Sequence, residues 1–422
     1  MDERDYLVSL ERFGIKLGLE NIARLLRAAD DPHLAIPVVH VAGTNGKGSV
    51  VAMLDAIFHA AGYHTVRYTS PHLMVLNERF LQDMQPISDA DLDDQIRFFR
   101  AVAETMDPPP TFFEFVTAMA FRWFAAVGAD VALVEVGLGG RFDATNIVQP
   151  TATAITNIDL EHQRYLGDTL ELIAFEKAGI LKAGVPAVVG ETRPGPLDVI
   201  LQRAQELDVP VRLLDSDFRY SLEGTPFDHR FTYTNDHFEL GPIPLGMAGS
   251  YQGENAALAV ALVEGLRDTY PALTSEAITE GLRDARWPCR LEKVLEHPPV
   301  IIDVAHNHAG AIKLAEQLNR CVIVMAVSSD KAAEQMIAAL APRAAELILT
   351  QFSGSRALPV SDLCAAASTL PHHRAETLAE AIDLGVSLAS DTTPLVITGS
   401  IFTAGEARAL LIERHGAAPI RF

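Results

Sequence analysis

The chain has 422 residues, 49% of them hydrophobic and 21% charged, which fits two or three globular domains. A formal net charge of −21 excludes a general nucleic-acid or anionic-membrane binder, although a local cluster of cations can reverse the field inside one cleft. No apolar run is long enough to span a bilayer, the start Met1-Asp2-Glu3-Arg4-Asp5 shows no export signal, and Cys289, Cys321 and Cys364 lack metal-type spacing, so the expectation is a cytoplasmic protein with reduced thiols.

Residues 1–35 read as helical, with Ile22, Leu25 and Leu26 on one face and a break at Gly14-Ile15-Lys16-Leu17-Gly18. An apolar strand, 36–41, then runs into Val41-Ala42-Gly43-Thr44-Asn45-Gly46-Lys47-Gly48-Ser49, and Val50, Val51, Leu54, Ile57, Phe58 and Ala61 continue it at helical spacing. Strand, glycine-rich loop and helix in that order make a phosphate site. Glycines let the backbone wrap an anion, the helix N-terminus points at it, Lys47 adds charge, and Ser49 can reach a Mg²⁺. Gly48 is unusual, because a hydroxyl residue commonly follows Gly-Lys directly.

A strand over 64–68 ends in Thr69-Ser70-Pro71-His72. Ser88 caps a polar helix over 89–106, Pro108-Pro109-Pro110 stops it, and 112–127 is a second, apolar helix. The run 130–136 has the composition of a buried strand, with Glu135 near its carboxyl end. A buried carboxylate there is either paired with an arginine or bound to a metal, and phosphate-loop enzymes use such a neighbouring acid to hold Mg²⁺. Further strands fall at 151–158 and 185–189, with a helix at 169–181 between them. Strands alternating with helices give a mainly parallel sheet. Residues 230–240 read as a β-hairpin added to this first domain, followed by helices near 253–266 and 275–284. After Trp287-Pro288-Cys289-Arg290-Leu291-Glu292, strands at 300–304, 321–327, 347–352 and 395–398 alternate with helices in a smaller doubly wound unit. Asp303, Asp330 and Gly399 lie at its strand ends, where such sheets bind ligands. The expected division is 1–288, a linker at 289–297, and 298–422.

These strings together resemble folylpolyglutamate synthase, including the bifunctional dihydrofolate synthase form, within the Mur-type ATP-dependent ligases. They are His40 to Ser49, Tyr68 to Leu73, Phe112 to Glu114, Glu135 to Asn146, His162 with Leu166-Gly167, Glu176 to Ile180, Trp287 to Glu292, Asp303 to Asn307, and Thr398-Gly399-Ser400. The resemblance implies that Asn45, Gly46, Lys47, Gly48 and Ser49 hold ATP phosphates, with Asn255, Arg290 and Asp303 completing the nucleotide site. It implies two Mg²⁺ ions on Ser49, Ser70, Glu135, His162 and Lys177, with K⁺ as a further candidate without assigned ligands. Lys177 would be a carbamate made with CO₂, and His306 would sit near the phosphates, so that Lys47, Lys177 and His306 are the catalytic group. Lys16, Leu17, Thr111, Phe113, Glu114, Phe142, Asp143 and Ala144 would line the folate or pteroate side.

Departures from the family pattern are Glu161 for Asp, Cys289 for a small residue, His308 for Pro, and Lys16 where bifunctional members carry an acid. The last weakens the dihydropteroate reading, whereas the loop 140–146 resembles the bifunctional form. The implied reaction joins L-glutamate to folates and to dihydropteroate through an acyl phosphate, in a monomer without nucleic-acid or membrane partners. A monofunctional folylpolyglutamate synthase, a Mur-type ligase acting on a cell-wall UDP precursor, and a nucleotide-binding regulatory module are the competing readings.

Overall fold

The computed structural model describes residues 2–14, 16 and 18–422. Eight strands build the first sheet: β1 (Val38–Ala42), β2 (Thr65–Tyr68), β3 (Phe80–Gln82), β4 (Gln85–Pro86), β5 (Val131–Glu135), β6 (Ala152–Ile155), β7 (Ala187–Val189) and β8 (Val211–Leu213). Their order is β4-β3-β2-β5-β1-β6-β7-β8. From β2 to β8 every pairing is parallel, and β3 and β4 extend the edge as an antiparallel pair.

Strand alternation decides what each face buries. Val39, Val41, Val131 and Leu133 pack under helices Lys47–Ala60 and Gln252–Leu266, while Val38, Ala132 and Val134 face helices Asp89–Ala103 and Phe112–Val127. The same period sends Glu135 toward the phosphate-loop side, in register with Val41. Ser88 caps its helix as expected, accepting the Asp91 N–H at 3.1 Å.

The hairpin expected at 230–240 is part of a three-stranded antiparallel sheet, β9 (Arg219–Thr225), β10 (Asp228–Thr234) and β11 (Glu239–Pro244). The second unit holds β12 (Glu292–Glu296), β13 (Pro299–Ile302), β14 (Cys321–Met325), β15 (Ala344–Leu349), β16 (His373–Arg374) and β17 (Leu395–Thr398), in the order β12-β13-β17-β14-β15-β16. All its pairings are parallel except β12 with β13. The stretch 289–297, expected as a linker, therefore contributes an edge strand to the second sheet. Several strands end earlier than the apolar runs suggest; β6 stops at Ile155 and β14 at Met325. After β6 the chain leaves the ladder at its carboxyl end to form a site loop through Asn157, Glu161 and His162.

Candidate active site

The loop after β1 is held by the segment that follows β6. Thr44 N–H donates to Asn157 carbonyl at 2.8 Å, Asn45 N–H to Asn157 Oδ1 at 2.9 Å, and Thr156 Oγ1 to Asn45 carbonyl at 2.6 Å. Gly46 has φ 87°, and a Cβ there would meet Asn255 Oδ1 at 2.3 Å. At Gly48 a Cβ would lie 2.5 Å from the Trp287 ring. The extra glycine thus makes room for an indole that comes from the junction with the second unit. Lys47 Nζ donates to the carbonyls of Gly43 and Thr44 at 2.9 and 3.1 Å, so the loop's own cation sits over its mouth.

Glu135 is 6% exposed and accepts the Ser70 N–H at 3.1 Å. Among the described residues it makes no ion pair within 4.0 Å, which removes the arginine-pair reading. Burial raises its pKa, while Lys47, the Ser70 N–H and Arg290 pull the other way. Among the described residues no three His, Cys, Asp or Glu side chains converge on a metal position. A single carboxylate with hydroxyls from Ser49 and Ser70 is nevertheless the kind of donor set Mg²⁺ takes when phosphates and water complete its shell. Among the described residues Glu135 accepts one hydrogen bond, from the Ser70 N–H, and has no cationic partner within 4.0 Å, so these residues fit the ion.

Lys177, in the last turn of helix Leu170–Ala178, does not line the cavity but lies behind it. Its Nζ meets Glu161 Oε1 at 2.5 Å and donates to the Gly43 carbonyl at 2.8 Å. Burial lowers the ammonium pKa to about 8 against the pull of Glu161. An ammonium donates and cannot ligate, so a metal role for Lys177 needs the carbamate. Glu161 is more than a tolerated extra methylene here: its carboxylate holds the amine. His162 follows at φ 45°, exposed at the cavity edge, and burial lowers its pKa.

The second unit completes this cavity. Asp303, at the carboxyl end of β13, is buried and accepts the N–H groups of Leu291 and Ala305 at 2.9 and 2.8 Å. It thereby ties the segment carrying Arg290 to the strand end. His306 joins its Nδ1 to the Val304 carbonyl at 3.1 Å, and burial, with Arg290 nearby, lowers its pKa. The cavity, about 240 Å³, is lined by Asn45 through Ser49, Ser70, Glu135, His162, Asn255, Arg290, Asp303 and His306. Asn307 caps helix His308–Gln317 through Gly310 N–H at 2.7 Å, so His308 in place of Pro leaves the turn intact. Asp330 is exposed and paired with Lys331 at 3.0 Å, so this strand-end acid is not part of the cavity wall. Cys289 has no exposed surface, φ 57° and a pKa raised by burial, as a packed residue rather than a nucleophile.

A second cavity of about 320 Å³ carries Lys16, Thr111, Phe113, Glu114, Phe142, Asp143 and Ala144 in its wall. Leu17 lies outside the described residues. Its polar groups are largely committed. Thr111 and Glu114 form a capping box, and Glu114 Oε2 also accepts from Asn21. Asp143 accepts the N–H groups of Leu138 and Thr145 at 2.7 and 3.0 Å, and burial raises its pKa. Phe142 lies 38% exposed at the rim. Ser70, Pro71, Gly137 and His162 line both cavities, so the two chambers meet at one wall. Sequence reasoning did not single out Tyr251, Glu254, Lys313 or Trp287 for the nucleotide-side cavity, or Arg79 for the other. Only Trp287 carried a signal, through the string it belongs to.

A phosphate loop facing a second α/β unit across one cavity defines a Mur-type ligase architecture. The Mur ligase middle domain matches residues 41–263, and the Mur ligase glutamate ligase domain matches residues 289–401. The dihydrofolate synthase/folylpolyglutamate synthase of Bacillus subtilis (strain 168) is 35% identical over 420 residues, covering 96% of this chain and 98% of the relative. The Mycobacterium tuberculosis folylpolyglutamate synthase complexed with ADP superposes with a TM-score of 0.89 at 34% identity, over 99% of this chain and 100% of that one. The Yersinia pestis bifunctional folylpolyglutamate synthase/dihydrofolate synthase complexed with AMPPNP and Mn gives 0.86 at 31%, over 98% of each. The chain belongs to the dihydrofolate synthase/folylpolyglutamate synthase family.

Proposed function

We propose that this chain joins L-glutamate to reduced folates and to dihydropteroate, converting ATP to ADP and phosphate. The observation that carries the reading is the shared wall of Ser70, Pro71, Gly137 and His162. A pterin held in the second cavity would present its carboxyl at the phosphate loop through that wall. The two-domain division, with 298–422 as the glutamate-ligase unit, belongs to the same proposal.

A carboxylate does not condense with an amine at neutral pH, so its oxygen must first take the γ-phosphoryl group of ATP. Lys47 would leave its own loop carbonyls for the phosphates and neutralise charge as the acyl phosphate forms. Arg290 would do the same from the second unit. His306, with Nδ1–H donated to Val304, offers Nε2 as an acceptor for the proton that glutamate's ammonium must lose before attack. That amine then displaces phosphate and leaves an amide. Mg²⁺ bound by Glu135, Ser49 and Ser70 would supply charge neutralisation at the phosphates, with a second ion near His162. K⁺ belongs to the same reading, with no ligands assigned. Enclosure between the two units excludes water from the acyl phosphate.

Carbamylation of Lys177 is also part of the proposal, supported by a buried amine whose lowered pKa makes its neutral form accessible. Glu161 would have to release Nζ for it to form. Lys177→Ala should lose ligation and regain part of it with formate; absent rescue, with unmodified lysine by mass, contradicts the carbamate. Glu135→Gln should sharply weaken the Mg²⁺ dependence of ADP release. An unchanged Mg²⁺ titration would show that Glu135 holds no ion.

A further inference from the structure

Arg79 stands in the wall of the second cavity with no part in the chemistry above. It ends the 3₁₀ turn Leu76–Arg79, just before β3. The Glu78 carboxylate fixes this loop by accepting the N–H groups of Leu73, Met74 and Val75 at 2.7, 3.0 and 3.0 Å. Thr69 N–H donates to the Arg79 carbonyl at 3.2 Å, which sets Arg79 beside Ser70 and the wall where the chambers meet.

The side chain is 7% exposed. Its Nε donates to His72 Nδ1 at 3.0 Å, the guanidinium carbon lies 5.3 Å from the Phe112 ring centroid, and the Tyr68 hydroxyl is a further neighbour. All three partners are uncharged or weakly polar. Among the described residues Arg79 makes no ion pair with a carboxylate within 4.0 Å; Glu135 and Glu11 attract it only from farther away. Burying a guanidinium without a counter-ion is costly, and a planar fork of donors facing a ligand cavity matches a carboxylate.

Position decides which carboxylate. Arg79 lines the second cavity and not the nucleotide-side one. The carboxyl that reacts must pass into the nucleotide-side cavity, so it is not the group left at Arg79. A folyl substrate carries another, the α-carboxylate of its terminal glutamate, a few bonds behind the reacting γ-carboxyl. Dihydropteroate has only the reacting one, attached to its aromatic ring.

We propose that Arg79 receives the α-carboxylate of a glutamylated pterin and so sets the preference for folates over dihydropteroate. The inference rests on the folate-ligase reading. The test is ADP release by the full chain with ATP, Mg²⁺ and L-glutamate, using tetrahydrofolate, its α-carboxamide with the γ-carboxyl free, and dihydropteroate. Wild type should use the α-carboxamide about 30-fold less efficiently than tetrahydrofolate, chiefly through KM, the size expected of one charge-assisted pair. Arg79→Met should lower the ratio of kcat/KM for tetrahydrofolate over dihydropteroate by about the same factor, and Arg79→Lys should restore part of it. Equal use of acid and amide by wild type overturns the proposal, as does an Arg79→Met variant that loses both substrates in proportion. If Arg79→Met fails to fold, the wild-type comparison of acid with amide decides alone. Absence of ADP release with all three substrates overturns the parent reading instead.

Discussion

Gly48 is the point where the phosphate loop departs from the common pattern, and the Trp287 ring explains it. A methyl group at this position would overlap the indole, whose other neighbour is the buried Arg67 guanidinium, 5.3 Å from the ring centroid. Arg67 is itself pinned by Asp55 at 3.2 Å, so the indole has little room to yield. Gly48→Ala should therefore raise KM for ATP by tenfold or more, an effect of about 1.4 kcal/mol or larger. An unchanged KM would show that Trp287 moves aside freely. The anomaly was visible in the sequence; its cause was not, because the indole arrives from a distant segment. Glu254 was equally hidden, since one acid in a helix reads as a solvated charge. Burial and the neighbouring Glu191 and Asp215 raise its pKa from 4.5 to about 7. Between those values the folded state keeps a proton that the unfolded state releases. Its stabilising contribution is thus full below about pH 4.5 and is lost as pH rises through 7. Glu254→Gln should match wild type near pH 4.5 and exceed it at pH 8 by about 1–3 kcal/mol in urea unfolding. Parallel stability curves across that range would contradict the shift.

At the scale of elements, long apolar strands and capped helices were legible because their periods come from burial on one or both faces. Helix Phe112–Val127 and β17 fall where the sequence places them. The missed pieces are short or exposed. β9 alternates only over Arg219–Glu223 before Gly224 and is largely exposed, and β12 is a half-covered edge strand without a regular alternation, so the signal in each is short. The capping box shows how one pair of residues can serve both structure and site. Thr111 Oγ1 accepts Glu114 N–H at 3.2 Å and Glu114 Oε2 accepts Thr111 N–H at 2.7 Å, leaving both to shape the cavity wall mainly through position. Thr111→Ala should cost about 1 kcal/mol, a fall of a few degrees in Tm, and Thr111→Ser should recover it. Loss of folate use with no change in Tm would assign Thr111 to ligand contact instead.

The active site belongs to the whole molecule. Its nucleotide-side cavity takes residues from the loop after β1, the ends of β2 and β5, helix Gln252–Leu266 and the second unit. The residues themselves supplied the phosphate loop, as glycines, Lys47 and Ser49 between a strand and a helix, and Glu135, as an acid at the end of an apolar strand. Asp303 was marked as a strand-end acid, the resemblance to a known family brought in Ser70, His162, Asn255, Arg290 and His306, and the fold gathers all of them around one space. Lys177 sits one layer behind, and Arg79 could not be read at all, because an arginine before a short strand carries no periodic signal. On the proposed function, the pterin-side and nucleotide-side chambers work as one ligase site. The most direct test is ADP release by the purified chain with ATP and Mg²⁺, with L-glutamate and the pterin acid each supplied or withheld. Release is expected only when L-glutamate is present together with tetrahydrofolate or dihydropteroate, with one glutamate added to the pterin for each ADP formed. ADP release that ignores the pterin acid, or none with either acid, would contradict the proposed function.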